Sequence, residues 1–179
     1  LSNNKSEEML QMETSNQKLL LLKLMPLAAL VPMTDEALHA LPNGLVPKGL
    51  VGFNNFPYRI GRESRVVRDE KTGQVHRMER HRPGNTNPNN DLYLVDDGKL
   101  LNISREHLSI EMRGDDFCVI DRNSACGFSI DGQHFGGDGK GGSCAIKNGQ
   151  VLAMGAKHSL YQFRFVDFRG FSVVKITDV

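Results

Sequence analysis

The chain has no apolar stretch of about 18 residues or more, the length a helix needs to cross a bilayer, so no transmembrane helix is expected. Cysteine is scarce: Cys118, Cys126 and Cys144 form an odd set without paired spacing. That pattern excludes a disulfide framework or a zinc site and fits reduced thiols in a cytoplasmic protein. An excess of one charge is also missing. Lys and Arg number 22 against 21 Asp and Glu, a formal net charge of +1, so nothing draws the whole chain to nucleic acid or to a membrane. The leucine run ending at Met25 follows a polar lead containing Glu7, Glu8 and Glu13, whereas a signal peptide needs a basic start and a small-residue cleavage site. The first residue is Leu1 rather than methionine, which reads as something other than a natural start.

What is present suits one domain: 179 residues can enclose a hydrophobic core. Residues 1–17 are polar and irregular, a flexible or partly helical tail. Lys18 to Met25, a short apolar run stopped by Pro26, reads as a buried strand. Thr34 to Leu41 reads as a short helix, with Thr34 as N-cap, Asp35 and Glu36 in the first turn, and Pro42-Asn43-Gly44 ending it. From Phe56 the chain turns to strands: Phe56–Ile60, Asp91–Val95, His107–Met112, Asp116–Asp121, Gly127–Asp131, Ser143–Ile146, Val151–Met154 and Ser159–Val166. In the last, Tyr161, Phe163 and Phe165 alternate with Gln162 and Arg164, which puts the aromatics on one face. Turns are signalled at Asp97-Gly98, Arg113-Gly114-Asp115, Asp131-Gly132 and Asn148-Gly149. Short strands at this spacing without intervening helices argue for an antiparallel β-sandwich over 18–168, followed by a C-terminal strand or tail at 169–179.

Two segments interrupt the rhythm. Residues 63–90 form a long polar insertion read as a loop; over 62–82 seven Lys or Arg stand against four acids. Gly136 to Gly142 reads as a flexible hairpin loop. It is not a phosphate-binding P-loop, because His134 and Gly141 occupy the positions that would require glycine and Ser or Thr, and a strand rather than a helix follows. His76 and His81 lack a carboxylate or cysteine framework for a metal. Ser104 and His107 are three residues apart near a strand start, where side chains diverge, and no oxyanion motif accompanies them. No enzymatic constellation is present in the pattern.

The informative residues are three blocks, each at a strand-to-turn junction: Gly61-Arg62, Ser104-Arg105-Glu106-His107 and Asp121 to Gly127. Together they offer guanidinium forks and a short hydroxyl, the donors a phosphate monoester needs. Their order and flanking strands, including Phe56 to Arg62 and Asn90 to Leu94, resemble the forkhead-associated (FHA) domain, a phosphothreonine-reading module, from about Tyr58 to Val166. The resemblance implies that Arg62 grips phosphate, that Ser104 donates its hydroxyl, and that Arg105 adds a cation or a peptide contact. It implies architectural roles for Gly61 and Gly127 and a buried brace for His107; Ser124 and Asp121 shape the turn. One block departs from the family. Where a Thr and an Asn usually precede the glycine, helping to hold the phosphate region and the bound peptide's backbone, this chain has Ala125 and Cys126.

The expected function is therefore non-catalytic, reversible binding of a phosphothreonine-containing protein or peptide by a cytoplasmic monomer. Arg62, Ser104, Arg105, Ala125 and Cys126 would line the site, with no metal or organic cofactor and no nucleic-acid or membrane partner. The alternative is a degenerate FHA domain acting as a phospho-independent scaffold.

Overall fold

Phe163 and Phe165 are fully buried while Arg164 between them is exposed, so alternation along this strand sends its aromatics into the core. The computed structural model describes residues 15–17, 19, 20, 24–42, 49–62, 66–68, 71, 72, 75–77, 89–95 and 103–171. In chain order these carry β1 (Ala28–Pro32), α1 (Asp35–His39), β2 (Val51–Phe53), β3 (Tyr58–Arg62), β4 (Val66–Arg68) and β5 (Val75–Arg77). Then come β6 (Leu92–Leu94), β7 (Leu108–Arg113), β8 (Asp116–Asp121), β9 (Phe128–Ile130), β10 (Gln133–Phe135), β11 (Gly142–Ile146), β12 (Val151–Met154) and β13 (Gln162–Asp167).

One sheet runs β10-β9-β12-β13-β1-β2 and the other β11-β8-β7-β3-β6, while β4 and β5 pair as a separate ribbon. Leu30, Ile60, Leu108, Ile110, Phe117, Phe128, Leu152 and Phe165 meet in the core with almost no exposure. Phe117 and Phe165 pack edge to face at 5.1 Å. Removing either ring would cost about 3–5 kcal/mol, the usual range for a buried Phe→Ala change. The fold is a β-sandwich, with one refinement: β3 and β6 are parallel, pairing Ile60 with Leu92 and Arg62 with Leu94, so the second sheet is mixed. The parallel pair requires a crossover, and residues 63–91 supply it.

Thr34 caps α1, its Oγ accepting the Ala37 N–H at 3.2 Å and its hydroxyl donating to the Leu160 carbonyl. Buried Ala37, Ala40 and Leu41 fasten this short helix to the core, and Val95 N–H donates to Ala40 O at 2.7 Å.

Several sequence expectations require correction. Within Lys18 to Met25 the described Leu19, Leu20 and Leu24 are helical and exposed, not a buried strand. The N-terminal strand is β1 instead. It lies between β13 and β2, and consecutive Ala28, Ala29 and Leu30 are all fully buried, which removes the alternation that would have marked it. From the sequence Cys118, between Phe117 and Val119, reads as small core filler; in the fold Phe117 and Val119 point inward and Cys118 is half-buried on the other face of β8. Part of the 63–90 insertion is the β4–β5 ribbon. Ser159 and Leu160 precede β13 in a turn. The signals at Asn43-Gly44 and Asp97-Gly98 lie outside the described residues, as do 1–14 and 172–179.

Candidate functional site

β3 ends at Gly61-Arg62, and the chain there lies against the loop of residues 103–107. Arg62 N–H donates to Ser104 O at 2.9 Å, and the Arg62 Nε donates to Ile103 O at 2.9 Å. The approach is close because residue 61 has no side chain. A Cβ at Gly61 would run into the Arg105 carbonyl and come within 2.6 Å of Asn90 Nδ2. Glycine is demanded here by proximity rather than by backbone conformation.

His107 is fully buried and joins this loop to the next. Its Nδ1 accepts the Ser104 N–H at 2.9 Å, and its Nε2 lies 2.8 Å from Gly127 O. The two partners fix a neutral tautomer with the proton on Nε2. Burial pushes the His107 pKa down to about 4, against the weaker opposing pull of the Gly127 carbonyl and Asp121. The imidazole is thus engaged with the backbone amide of Ser104 rather than with its hydroxyl.

The Ser104 hydroxyl faces the third block: Oγ accepts the Ala125 N–H at 3.0 Å. That loop is held from beneath. Asp121 Oδ1 accepts from Ser124 N–H at 3.1 Å, and Ser124 Oγ accepts from Gly127 N–H at 2.8 Å. Gly127 adopts a φ of 67°, and a Cβ there would strike Phe135 O and approach Gly136 C to 2.8 Å. The glycine-rich segment packs onto this same loop, contrary to its reading as a flexible hairpin. Asp121 Oδ2 accepts from Gly137 N–H at 3.0 Å, and Asp138 and Gly139 N–H donate to the Ala125 and Ser124 carbonyls, each at 3.0 Å. Its glycines allow backbone to approach backbone, and the hydrogen bonds then fix it.

Arg62, Ser104, Ala125 and Cys126 are therefore brought to one end of the sandwich on three interlocked segments, with Arg105 exposed beside them. Ala125 is exposed and Cys126 half-buried. Among the described residues no cluster of His, Cys, Asp or Glu could hold a metal ion, and no helix is long and apolar enough to cross a membrane.

Sequence reasoning missed a polar bracket behind this site. Asn90, almost fully buried, donates from Nδ2 to Arg105 O at 2.7 Å and accepts from Arg122 through Oδ1 at 2.6 Å. Arg122 also donates to Asn89 O at 3.1 Å and pairs with Glu106 at 3.5 Å. Asn89 donates to Glu106 at 3.2 Å and accepts from the Tyr93 hydroxyl at 2.7 Å. Burial lowers the Arg122 pKa, and Glu106 works against that. In the sequence Asn90 closes a turn-forming run, Pro83 to Asn90, and opens the Asn90 to Leu94 stretch that carries the family resemblance, and neither feature shows that it is buried.

Comparison with curated proteins gives no match. Among solved structures, the chain is similar to EmbR of Mycobacterium tuberculosis in complex with a low-affinity phosphopeptide (15% identity, 83% of this chain and 26% of that one, TM-score 0.47). It therefore spans about a quarter of that protein. It is also similar to full-length yeast Pml1p (17% identity, 78% of this chain and 80% of that one, TM-score 0.47). A third similar structure is the FHA domain of CT664 from Chlamydia trachomatis (16% identity, 78% and 96% covered, TM-score 0.40). The FHA domain family matches residues 58–155, more than half of the chain and the span containing all three blocks. This chain belongs to the FHA domain family.

Proposed function

We propose that this domain is a phosphothreonine-dependent interaction module whose site is formed by Arg62, Ser104 and Arg105 above the Ala125-Cys126 loop. The observation that carries the reading is the Ser104 hydroxyl. Because Oγ accepts from Ala125 N–H, one lone pair is used within the protein while the hydroxyl proton remains for an incoming phosphate oxygen. Arg62 is anchored at the base of the same loop through Nε. A dianionic phosphate placed beside the serine meets a positioned guanidinium there, and charge-assisted bonds of this kind contribute about 1.5–3 kcal/mol each. Binding is reversible and one-to-one, the domain acts as a cytoplasmic monomer, and recognition involves no metal, organic cofactor or chemical step.

One observation favours a second reading, a phospho-independent scaffold. Ala125 has no side-chain donor and the Cys126 thiol is a weak one, so these two positions offer a ligand little beyond their backbone. Pull-down from a lysate before and after phosphatase treatment separates the two. Captured proteins lost on treatment support the phosphate reader; an unchanged set supports the scaffold and refutes the reader.

A further inference from the structure

The glycine-rich segment of residues 136–142, between β10 and β11, packs directly against the candidate site. Ala125 links the two: its N–H donates to Ser104 Oγ at 3.0 Å, and its carbonyl accepts from Asp138 N–H at 3.0 Å. A residue spans at most about 3.6 Å, so Asp138 N lies within about 10 Å of the Ser104 hydroxyl, the distance covered by about three residues of an extended peptide. Gly139 N–H donates to Ser124 O and Lys140 N–H to Gly137 O, each at 3.0 Å, which closes the segment into a turn with Asp138 at a φ of 54°. Gly137 lies so close to Cys126 that a Cβ there would stand 3.2 Å from the Cys126 carbonyl carbon. Five of the seven residues are glycine, so Asp138 and Lys140 are the only side chains this wall presents. Both are largely exposed, 81% and 78%, and Lys140 Nζ stands 3.5 Å from Asp138 Oδ2. An ion pair that exposed is weak and readily exchanged for another.

We propose that Lys140 is a specificity-determining residue that selects an acidic side chain in the partner, a few residues from the phosphothreonine on the flank crossing the Ala125-Cys126 loop. This inference rests on the phosphothreonine reading above and adds the chemistry of the flank. Ala125 and Cys126 offer that flank little beyond backbone, so the next side chains it meets are those of the wall behind them. Lys140 carries its ammonium on a flexible four-carbon stem with three N–H donors, of which the Asp138 carboxylate needs one. A partner carboxylate exchanges one exposed ion pair for another, at a wall whose backbone is already held in place, so little further ordering is required. The sign of the preference follows from the surroundings. Arg62 and Arg105 stand at the same end of the sandwich, where they favour an added anion and oppose the added cation that Asp138 alone would attract.

The test uses the full chain and its K140Q and K140E variants, with fluorescence anisotropy of phosphothreonine peptides at 0.05 M salt, where screening is weak. One peptide has neutral flanks; in the others Glu or Lys replaces a neutral residue at a single position, scanned over the few residues on either side of the phosphothreonine. The readout is the ratio of charged-peptide to neutral-peptide affinity within each protein, and urea unfolding checks that all three are folded. In wild type, Glu on one side is expected to tighten binding about two- to fivefold, the range of an exposed ion pair. The gain is expected to vanish in K140Q, to become a preference for Lys at the same positions in K140E, and to fade in 1 M salt, where screening acts over ~3 Å. With the neutral phosphopeptide still binding, three results overturn the proposal. No Glu position brings a gain in wild type; or K140Q keeps the gain, which assigns it to Arg105 or to the overall charge of the site; or wild type prefers Lys, which assigns the wall to Asp138. If no phosphopeptide binds wild type, the phosphothreonine reading falls and takes this one with it.

Discussion

The Ser104 hydroxyl oxygen accepts the backbone N–H of Ala125 at 3.0 Å. The contact uses main chain at position 125, so the link between the serine loop and the last loop persists whatever side chain stands there. Ala125 and Cys126 therefore leave the loop locked, and in the proposed site they take away only side-chain donors toward a ligand. Restoring them in Ala125→Thr with Cys126→Asn is expected to tighten phosphopeptide binding by up to ~1–3 kcal/mol, the net worth of one or two hydrogen bonds. Isothermal titration of one phosphopeptide against both proteins checks this; an unchanged affinity would mean the ligand does not pass over this loop.

Arg62 carries the phosphate in this account. Arg62→Ala is expected to reduce phosphopeptide affinity by more than tenfold. It also removes the Nε bond to Ile103 O, so a modest stability loss of about 1–2 kcal/mol is expected alongside. Arg62→Lys should recover only part of the affinity, since an ammonium lacks the guanidinium fork. Paired titration and urea unfolding distinguish lost recognition from lost folding, and full affinity in Arg62→Ala would refute the assignment.

The His107 bridge gives a pH dependence with a definite sign. The imidazole titrates near 6.5 when unfolded and near 4 in the fold. Its contribution is therefore complete above about pH 6.5 and is lost as pH falls through about 4, to a total of about 3 kcal/mol. Carboxylates titrate over part of the same window, so urea unfolding of wild type and His107→Gln should be compared at pH 7.5, 5.5 and 4.5. Wild type is expected to lose more stability on acidification than the variant. Parallel pH curves would mean the imidazole is not held neutral by burial.

Gly61 and Asn90 support the site from behind. Gly61→Ala forces a methyl against the Arg105 carbonyl and should cost about 1–3 kcal/mol while displacing the serine loop. Asn90→Asp is the more informative change, because a carboxylate still pairs with Arg122 but cannot donate to Arg105 O. Phosphopeptide affinity is expected to fall several-fold with Asn90→Asp even where thermal unfolding shows the protein folded; wild-type affinity would place the bracket outside the binding function.

The parts of this molecule that were legible in the sequence are those governed by local rules. Alternation marked Phe163 and Phe165 of β13, and the Thr34 cap announced α1. The three blocks were legible through their spacing. What escaped depends on tertiary surroundings. β1 is covered on both faces and so lost its alternation, and the leucines before Pro26 looked buried because composition cannot show which side of a helix meets solvent. Asn90 and Arg122 looked like polar turn residues, yet each is held by partners 15 to 33 positions away. The Gly136–Gly142 segment looked flexible because its anchors are Asp121 and two carbonyls of another loop.

The central claim is that binding depends on a phosphate at threonine. Its most direct test is titration of a phosphothreonine peptide library, with unphosphorylated and phosphoserine counterparts of each member, against the purified chain. Phosphothreonine peptides are expected to bind and their unphosphorylated counterparts not to. Phosphoserine should be weaker by a few-fold, about the ~0.8 kcal/mol of one methyl-sized contact. Equal binding of phosphorylated and unphosphorylated peptides would contradict the account.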